Sequence, residues 1–294
     1  MPYEGILLID KPQGFTSFDV VAKLRGMTKT RKIGHSGTLD PMATGVLPVF
    51  FGRAAKAAGI LPREDKRYLA QVQLGITTDT QDVTGKILER RPVLADPERI
   101  IETARYFTGE IQQIPPMYSA LKVNGKKLCD LARQGIEIER QPRPVTVYSL
   151  SARLLRPDLL ELDVHCSKGT YIRTLAADLG EKLGCGAALS ALRRTMAAGF
   201  GLEDCISLEE AQALGNGLSE KLLPVERAFS GLPRVQLSPK QARLFQNGVR
   251  LKAGQIQPGA PGRKAVFSEE GFLGTAFLEA GELHMEKLFR LADE

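Results

Sequence analysis

Gly34-His35-Ser36-Gly37-Thr38-Leu39-Asp40-Pro41-Met42-Ala43-Thr44-Gly45-Val46-Leu47 is the stretch on which the reading of this chain turns. It holds three glycines, one proline, one of only three histidines in the chain and a single acid. Glycine opens backbone conformations closed to other residues, and proline fixes φ and removes a donor, so the segment cannot be regular helix. It reads as a loop that presents His35, Ser36, Thr38 and Asp40. The apolar run Val46-Leu47-Pro48-Val49-Phe50-Phe51 follows at once and predicts a strand that anchors the loop. The plain alternative is a structural turn with an Asx-type hydrogen bond from Asp40, since Asp-Pro is a common turn starter.

Upstream of the loop, Val20 to Thr38 contains no Asp or Glu, while Lys23, Arg25, Lys29, Arg31, Lys32 and His35 fall in that window. The chain as a whole has 294 residues, a net charge of +6 and a pI of about 9.1. That excess favours a polyanionic partner. Apolar content of 43% and charged content of 25% are ordinary for a globular protein. The length allows one large domain or two unequal ones at roughly 100–200 residues each.

Cys129, Cys166, Cys185 and Cys205 form no C-x-x-C pair, and no histidine stands at finger-like spacing, so no zinc site is expected. Four reduced, mostly buried thiols are the expectation, with His165 and Cys166 on opposite faces of one strand. Met1-Pro2-Tyr3-Glu4-Gly5 lacks a signal pattern, and no apolar run approaches the ~20 residues of a membrane span. A cytoplasmic, soluble protein is expected.

Periodicity supplies the remaining elements. Gly5 to Pro12 is a strand, and Thr16-Ser17 caps a helix with Phe18, Val21, Ala22 and Leu24 on one side. In 66–75, Tyr68, Ala70, Val72 and Leu74 alternate with Leu69, Gln71 and Gln73, as a strand requires. Lys86 to Leu88 is a further strand, and Asp96-Pro97 opens a helix to about Phe107. Asn124-Gly125 is a hairpin or turn signal, followed by a helix from Lys127 to Arg133. Pro142 to Leu155 and Leu159 to Cys166 are strands around a turn at Pro157-Asp158. Ile172, Leu175, Ala176, Leu179 and Leu183 stand at helical spacing, ended by Gly184. Ser207 to Leu214 and Pro239 to Gln246 are short helices. Gly231-Leu232-Pro233 marks a boundary, after which short strands rich in Gly and Pro predict a small β-rich module. The fold class expected is α+β, with domains at 1–230 and 231–294.

Five separated blocks, in order, resemble the TruB family of tRNA pseudouridine-55 synthases. They are Leu8 to Ser17; Lys32 to Pro41 with Gly45-Val46-Leu47; Lys66-Arg67-Tyr68 with Gly75, Thr78-Asp79-Thr80 and Asp82; Pro115 to Lys122; and Cys166 to Arg173. Leu237-Ser238-Pro239 and Gln246-Asn247-Gly248, with the strands that follow, resemble the PUA domain found in many of these enzymes. The resemblance implies a mixed, largely antiparallel sheet in a catalytic domain of the pseudouridine synthase type. It implies a reaction in which the N1–C1′ bond of one T-loop uridine of tRNA is broken and the uracil is rejoined through C5, with no cofactor and no metal.

In that resemblance Asp40 is the catalytic carboxylate, Arg173 its charge partner, and Tyr68 the ring that stacks on the target base and helps proton transfer. Tyr171 and Leu192 line the pocket, and His35 lies at the RNA beside the flipped nucleotide. Lys11 is expected as a structural or pocket-edge residue, and Asp82 as an RNA or loop contact. The basic window, with Lys122, Lys126, Lys127, Arg193 and Arg194, supplies candidate phosphate contacts. On the residues alone, Arg173 reads equally as a solvent-facing helix residue, and Tyr68 and Leu192 as plain core.

Two other readings stay open. One is the catalytic subunit of an RNA-guided pseudouridylation particle; the absence of long terminal extensions favours a stand-alone monomer. The other is an RNA-binding or tRNA-folding protein without catalysis. A nucleotide-binding use of the glycine loop fails, because no Gly-Lys-Ser/Thr ending is present.

Overall fold

A computed structural model describes residues 3–290 except Asn124 and Pro258. The first residue of the expected Asn124-Gly125 turn, the first two residues of the chain and 291–294 therefore lie outside the described residues. The chain opens with β1 (Gly5–Lys11), buried everywhere except at the half-exposed Asp10. Helix α1 (Ser17–Thr28) starts from a capping box in which Asp19 N donates to Thr16 Oγ1 and Thr16 N donates to the Asp19 carboxylate. Its buried stripe is Ser17, Val20, Val21 and Leu24, at i, i+3, i+4 and i+7. The expected face was wrong at two positions. Phe18 is 63% exposed and Ala22 is exposed. Ser17 is turned inward by hydrogen bonds to Leu39, and its successor on the helix must then point away.

Strands β2 (Ile33–His35), β3 (Thr44–Phe51) and β4 (Lys66–Leu74) follow. β3 is buried at every position after Thr44, which is why it reads as an unbroken apolar run. A small hairpin of β5 (Ile76–Thr78) and β6 (Ile87–Arg90) leads to α2 (Pro97–Tyr106), capped by Asp96. Next come β7 (Gly109–Gln113), the short pair β8 (Lys122–Val123) and β9 (Lys126–Lys127), and α3 (Leu128–Arg133). Then β10 (Arg143–Arg156), β11 (Leu159–Cys166), α4 (Ile172–Leu183), β12 (Ala187–Ala197) and β13 (Phe200–Gly201) complete the larger sheet, and α5 (Leu208–Leu214) packs behind β1.

That sheet has nine strands in the order β1-β3-β12-β4-β11-β10-β7, with β2 beside β3 and β13 beside β12. β12 runs parallel to β3 over two rungs and antiparallel to β4; the other neighbours pair antiparallel. The expected mixed, largely antiparallel sheet is what forms. One face of the sheet is covered by α2, which packs on β10, and α4, which packs on β12 and β4; Ile100, Ala104, Leu175 and Leu179 share one core with Tyr68, Val72, Leu162 and Val164. The opposite face is lined by ion pairs such as Arg67–Asp163 at 2.7 Å and Arg153–Glu161 at 2.6 Å. Side chains alternate between these faces with the period of the strand, so Cys166 is buried while His165 sits on the polar side against Asp65. All four cysteines are free thiols; Cys166 and Cys185 are buried, Cys129 and Cys205 only half so.

The second sheet is the expected C-terminal β-rich domain. It contains β14 (Arg234–Gln236), β15 (Leu251–Lys252), β16 (Gly262–Ser268), β17 (Gly271–Glu279) and β18 (Glu282–Leu288), with α6 (Pro239–Gln246) packed against it. Its order is β14-β16-β17-β18-β15, and it has a core of its own around Phe245, Leu273 and Leu283. A second cluster joins it to the larger sheet: Phe229, Phe272 and Phe289 pack with Ile6, Leu8 and Phe50.

Candidate active site

The loop between β2 and β3 is held from three sides. Leu39 N donates to Ser17 Oγ at 2.9 Å, and Gly14 N donates to Pro41 O at 2.8 Å, tying it to α1 and its entry turn. Lys11, fully buried at the end of β1, donates to Phe15 O at 2.6 Å and Pro12 O at 2.9 Å and reaches Pro41 O at 3.5 Å. The turn after Asp40 is closed by backbone, Ala43 N donating to Asp40 O at 3.0 Å. The Asp40 side chain is thereby released from the Asx-type bond that Asp-Pro alone suggests. At Gly45 (φ 105°) the loop enters β3 against β12, where a Cβ would stand 2.1 Å from Arg194 O. Only glycine fits that approach.

Asp40 points at Arg173, the second residue of α4, with Nε 2.9 Å from Oδ2. Arg173 is 5% exposed, which rules out the solvent-facing reading. Its Nη1 donates to Thr80 O at 3.0 Å, its Nη2 donates to Tyr118 O at 2.7 Å, and Asp82 Oδ2 stands 3.7 Å from Nη1. Asp82 is 6% exposed and accepts from Thr84 N, Thr84 Oγ1 and Thr80 Oγ1. It is a loop contact and a second carboxylate behind Arg173. Of the two roles expected for it, the loop contact is the one seen, its carboxylate being buried and facing the protein.

A cavity of about 280 Å³ opens over this pair. Asp40, Tyr68, Tyr171, Arg173 and Leu192 all belong to its wall, brought together from the loop, β4, α4 and β12. Tyr171 caps α4 and is fixed by Gln113 of β7, whose side chain accepts from Tyr171 N at 3.0 Å and donates to Tyr171 O at 3.3 Å. His35 is not part of the wall; it stands at the end of β2, opposite Val49. Lys11 lies beneath the loop, which fits its structural reading. Sequence reasoning passed over Lys66 and Ser119, which also line the cavity, Ser119 with a buried hydroxyl that has no hydrogen-bond partner among the described residues. Both sat inside quoted blocks without a role. Gln113 carried no signal.

The electrostatics follow from burial opposed by charge. Desolvation raises the Asp40 carboxyl above its ordinary value and Asp82 adds to the rise, while Arg173 and Lys11 oppose it. Such a carboxylate, ionised against a guanidinium yet eager for a proton, suits a base or a nucleophile. Burial raises the Tyr68 phenol, with Arg194 opposing. Burial lowers His35 and Lys66, with Arg194 reinforcing both, and lowers Lys11 to about 8.

Of the candidate phosphate contacts, Lys23, Lys29, Arg31, Lys32, Lys122, Lys126 and Lys127 are exposed. One is corrected: Arg194 is fully buried in β12, whereas Arg193 pairs with Asp10 at 2.6 Å with its side chain still 43% exposed. Among the described residues no cluster of three or more His, Cys, Asp or Glu side chains is arranged to hold a metal, and no helix is long and apolar enough to cross a membrane.

Residues 25–172 match the family model of the TruB family pseudouridylate synthase N-terminal domain, and 173–230 match that of the tRNA pseudouridylate synthase B C-terminal domain. Curated relatives named tRNA pseudouridine synthase B include one from Dechloromonas aromatica (strain RCB), 44% identical over 99% of this chain and 97% of its own. Another, from Clostridium kluyveri, is 45% identical over 85% of this chain and 86% of its own. Among solved structures, a Cbf5-Nop10-Gar1 complex contains a chain with a TM-score of 0.77 and 26% identity, covering 99% of this chain and 86% of that one.

Proposed function

We propose that this chain, which belongs to the TruB family of pseudouridylate synthases, isomerises uridine 55 in the T loop of tRNA to pseudouridine without a guide RNA, using Asp40. The shared name of the full-length relatives supports tRNA pseudouridylation as the activity. The observation that carries the residue assignment is the Arg173–Asp40 pair, 2.9 Å apart in the wall of a cavity that Tyr68 also lines.

A uridine stacked within the folded T loop must be flipped out, at a cost of a few kcal/mol. Stacking on Tyr68 returns ~1–3 kcal/mol of that. Arg173 orients Asp40 toward the ribose–base junction, where it acts as nucleophile or base. The N1–C1′ bond breaks, the uracil turns, and C5 bonds to C1′. C5 then loses its proton and N1 gains one, so nothing is consumed. Tyr171 and Leu192 confine the base while it turns. His35, outside the cavity wall, takes the space at the RNA beside the flipped nucleotide. The exposed lysines of the α1 segment meet phosphates. In this reading residues 1–230 form the catalytic domain and 231–294 a PUA-like RNA-binding domain, and the protein works as a cytoplasmic monomer without cofactor.

The likeness to the chain in the Cbf5-Nop10-Gar1 complex favours a second reading, a catalytic subunit of an RNA-guided particle. The identity of 44% to a relative named tRNA pseudouridine synthase B weighs against it. A tRNA transcript carrying tritium at C5 of uridine 55 alone decides: the protein by itself releases the label with no added cofactor or guide. Release that required a guide RNA, or no release of the uridine 55 label, would contradict the assignment.

A further inference from the structure

The least expected side chain in the larger domain is Arg194. It is fully buried in the central strand β12, and no carboxylate lies within salt-bridge distance of it among the described residues. A buried guanidinium in that state is expensive unless its donors are used. Two are: Nη2 donates to Gly37 O at 2.7 Å and Nε donates to Val46 O at 2.8 Å. Those carbonyls stand on either side of Asp40, at the two ends of its loop. The third nitrogen, Nη1, is buried with no hydrogen bond of close geometry among the described residues, although the guanidinium as a whole interacts with the Tyr68 hydroxyl. Gly37 leaves it room, since a Cβ there would stand 3.0 Å from Nη1.

The strand register explains what Nη1 faces. Arg194 is the cross-strand partner of Tyr68 on β4 and lies beside Gly45 on β3. The phenol of Tyr68 is the titratable group that acts most strongly on the Arg194 charge, ahead of Cys205. In turn that charge disfavours protonation of Lys66 on β4, His35 on β2 and Lys11 on β1. Arg194 therefore reaches both parts of the proposed machinery, the loop that carries Asp40 and the hydroxyl of Tyr68, without touching the cavity.

We propose that Arg194 is a positioning residue that locks the Asp40 loop at Gly37 and Val46 and holds one N–H in reserve for the Tyr68 oxygen as that hydroxyl exchanges its proton. The inference rests on the proposed reading of Asp40 as the reacting carboxylate and of Tyr68 as the ring over the base, whose hydroxyl helps proton transfer. A donor left over from the two carbonyls, beside the Tyr68 phenol, is the feature that a purely structural clamp does not need.

The test is a double-mutant cycle of R194K and Y68F, read by single-turnover tritium release, tRNA affinity and thermal unfolding. Lysine keeps the charge but sets its three donors on one nitrogen, so it cannot reproduce the planar fork that spans Gly37 O, Val46 O and the Tyr68 side. R194K is expected to slow turnover about 10²-fold in the Tyr68 protein, the usual cost of one lost preorganised donor. In the Y68F background its effect should shrink to within about threefold, because coupled residues are not additive. Affinity for tRNA should hold in both. Equal slowing in both backgrounds, or no slowing by R194K, would overturn the proposal. Should R194K not fold, R194Q is judged by the same two criteria. Absence of release by the unaltered protein would strike the reading of the site itself, and is thereby distinguished from a failure of this inference.

Discussion

Nε of Arg173 lies 2.9 Å from Oδ2 of Asp40, and the other two nitrogens of the same guanidinium close on the carbonyls of Thr80 and Tyr118. One side chain thus gathers segments that are far apart in sequence. It does so from the first turn of α4, where the helix dipole disfavours a cation. The carboxylates of Asp40 and Asp82 offset that cost.

Arg173→Lys keeps the charge and loses the fork. It is expected to lower the single-turnover rate on the order of 10²-fold, since Asp40 is no longer aimed. The orphaned carbonyls should cost about 1–3 kcal/mol of stability. Turnover within threefold of the parent, with an unchanged melting temperature, would remove Arg173 from its role.

Asp82→Asn addresses the pH dependence. Asp40 must be ionised to react, so activity falls as pH falls through its pKa, which burial and Asp82 hold above the ordinary carboxylate value. Removing the Asp82 charge lowers that pKa. The acid limb of the single-turnover profile should therefore move to lower pH. A limb that stays in place, or moves up, contradicts this electrostatic account.

Stability carries the opposite sign at Asp40. A carboxyl with a raised folded pKa binds its proton more tightly in the native state than in the unfolded one. Its contribution favours folding at low pH and is lost as pH rises from the unfolded value through the folded one. At neutral pH the native protein therefore carries a penalty that Asp40→Asn relieves. Thermal unfolding at pH 7 should place the variant no lower than its parent; a clear drop would mean that Arg173 dominates instead.

Gly45→Ala tests the junction of loop and sheet. The added methyl would meet the backbone oxygen of Arg194 at 2.1 Å and its nitrogen at 2.8 Å, at a φ of 105°. Neither backbone atom can give way without parting β12 from β3. Destabilisation on the order of 3 kcal/mol or more is expected in denaturant unfolding.

The sequence made the elements around the site legible where a single period ruled. Tyr68, Ala70, Val72 and Leu74 alternate cleanly because β4 has one apolar face, and α4 is marked by its stripe and by Gly184 in the left-handed region. β12 was not legible. Its run Ala187-Ala188-Leu189-Ser190-Ala191-Leu192-Arg193-Arg194 is made largely of good helix formers, and only its place between β3 and β4 makes it a strand. The fate of Arg194 was hidden with it, because a basic residue outside a known strand reads as surface. The second role of Asp82 was hidden for a related reason: its partner Arg173 lies 91 positions away, and no local pattern reports such a pair.

Gln113→Ala probes the support behind the cavity. The buried amide holds both backbone polar groups of Tyr171. Its loss should cost about 1–3 kcal/mol and slow turnover more than it weakens tRNA binding, because the wall moves while the outer RNA surface stays. Unaltered kinetics would show that Tyr171 is placed by α4 alone.

The central claim is that Asp40 performs the chemistry, and single-turnover tritium release by Asp40→Asn tests it most directly. With tRNA labelled at C5 of uridine 55, the variant should bind tRNA about as tightly as its parent and release no label above background. Release by the variant at the parent's rate would contradict the account.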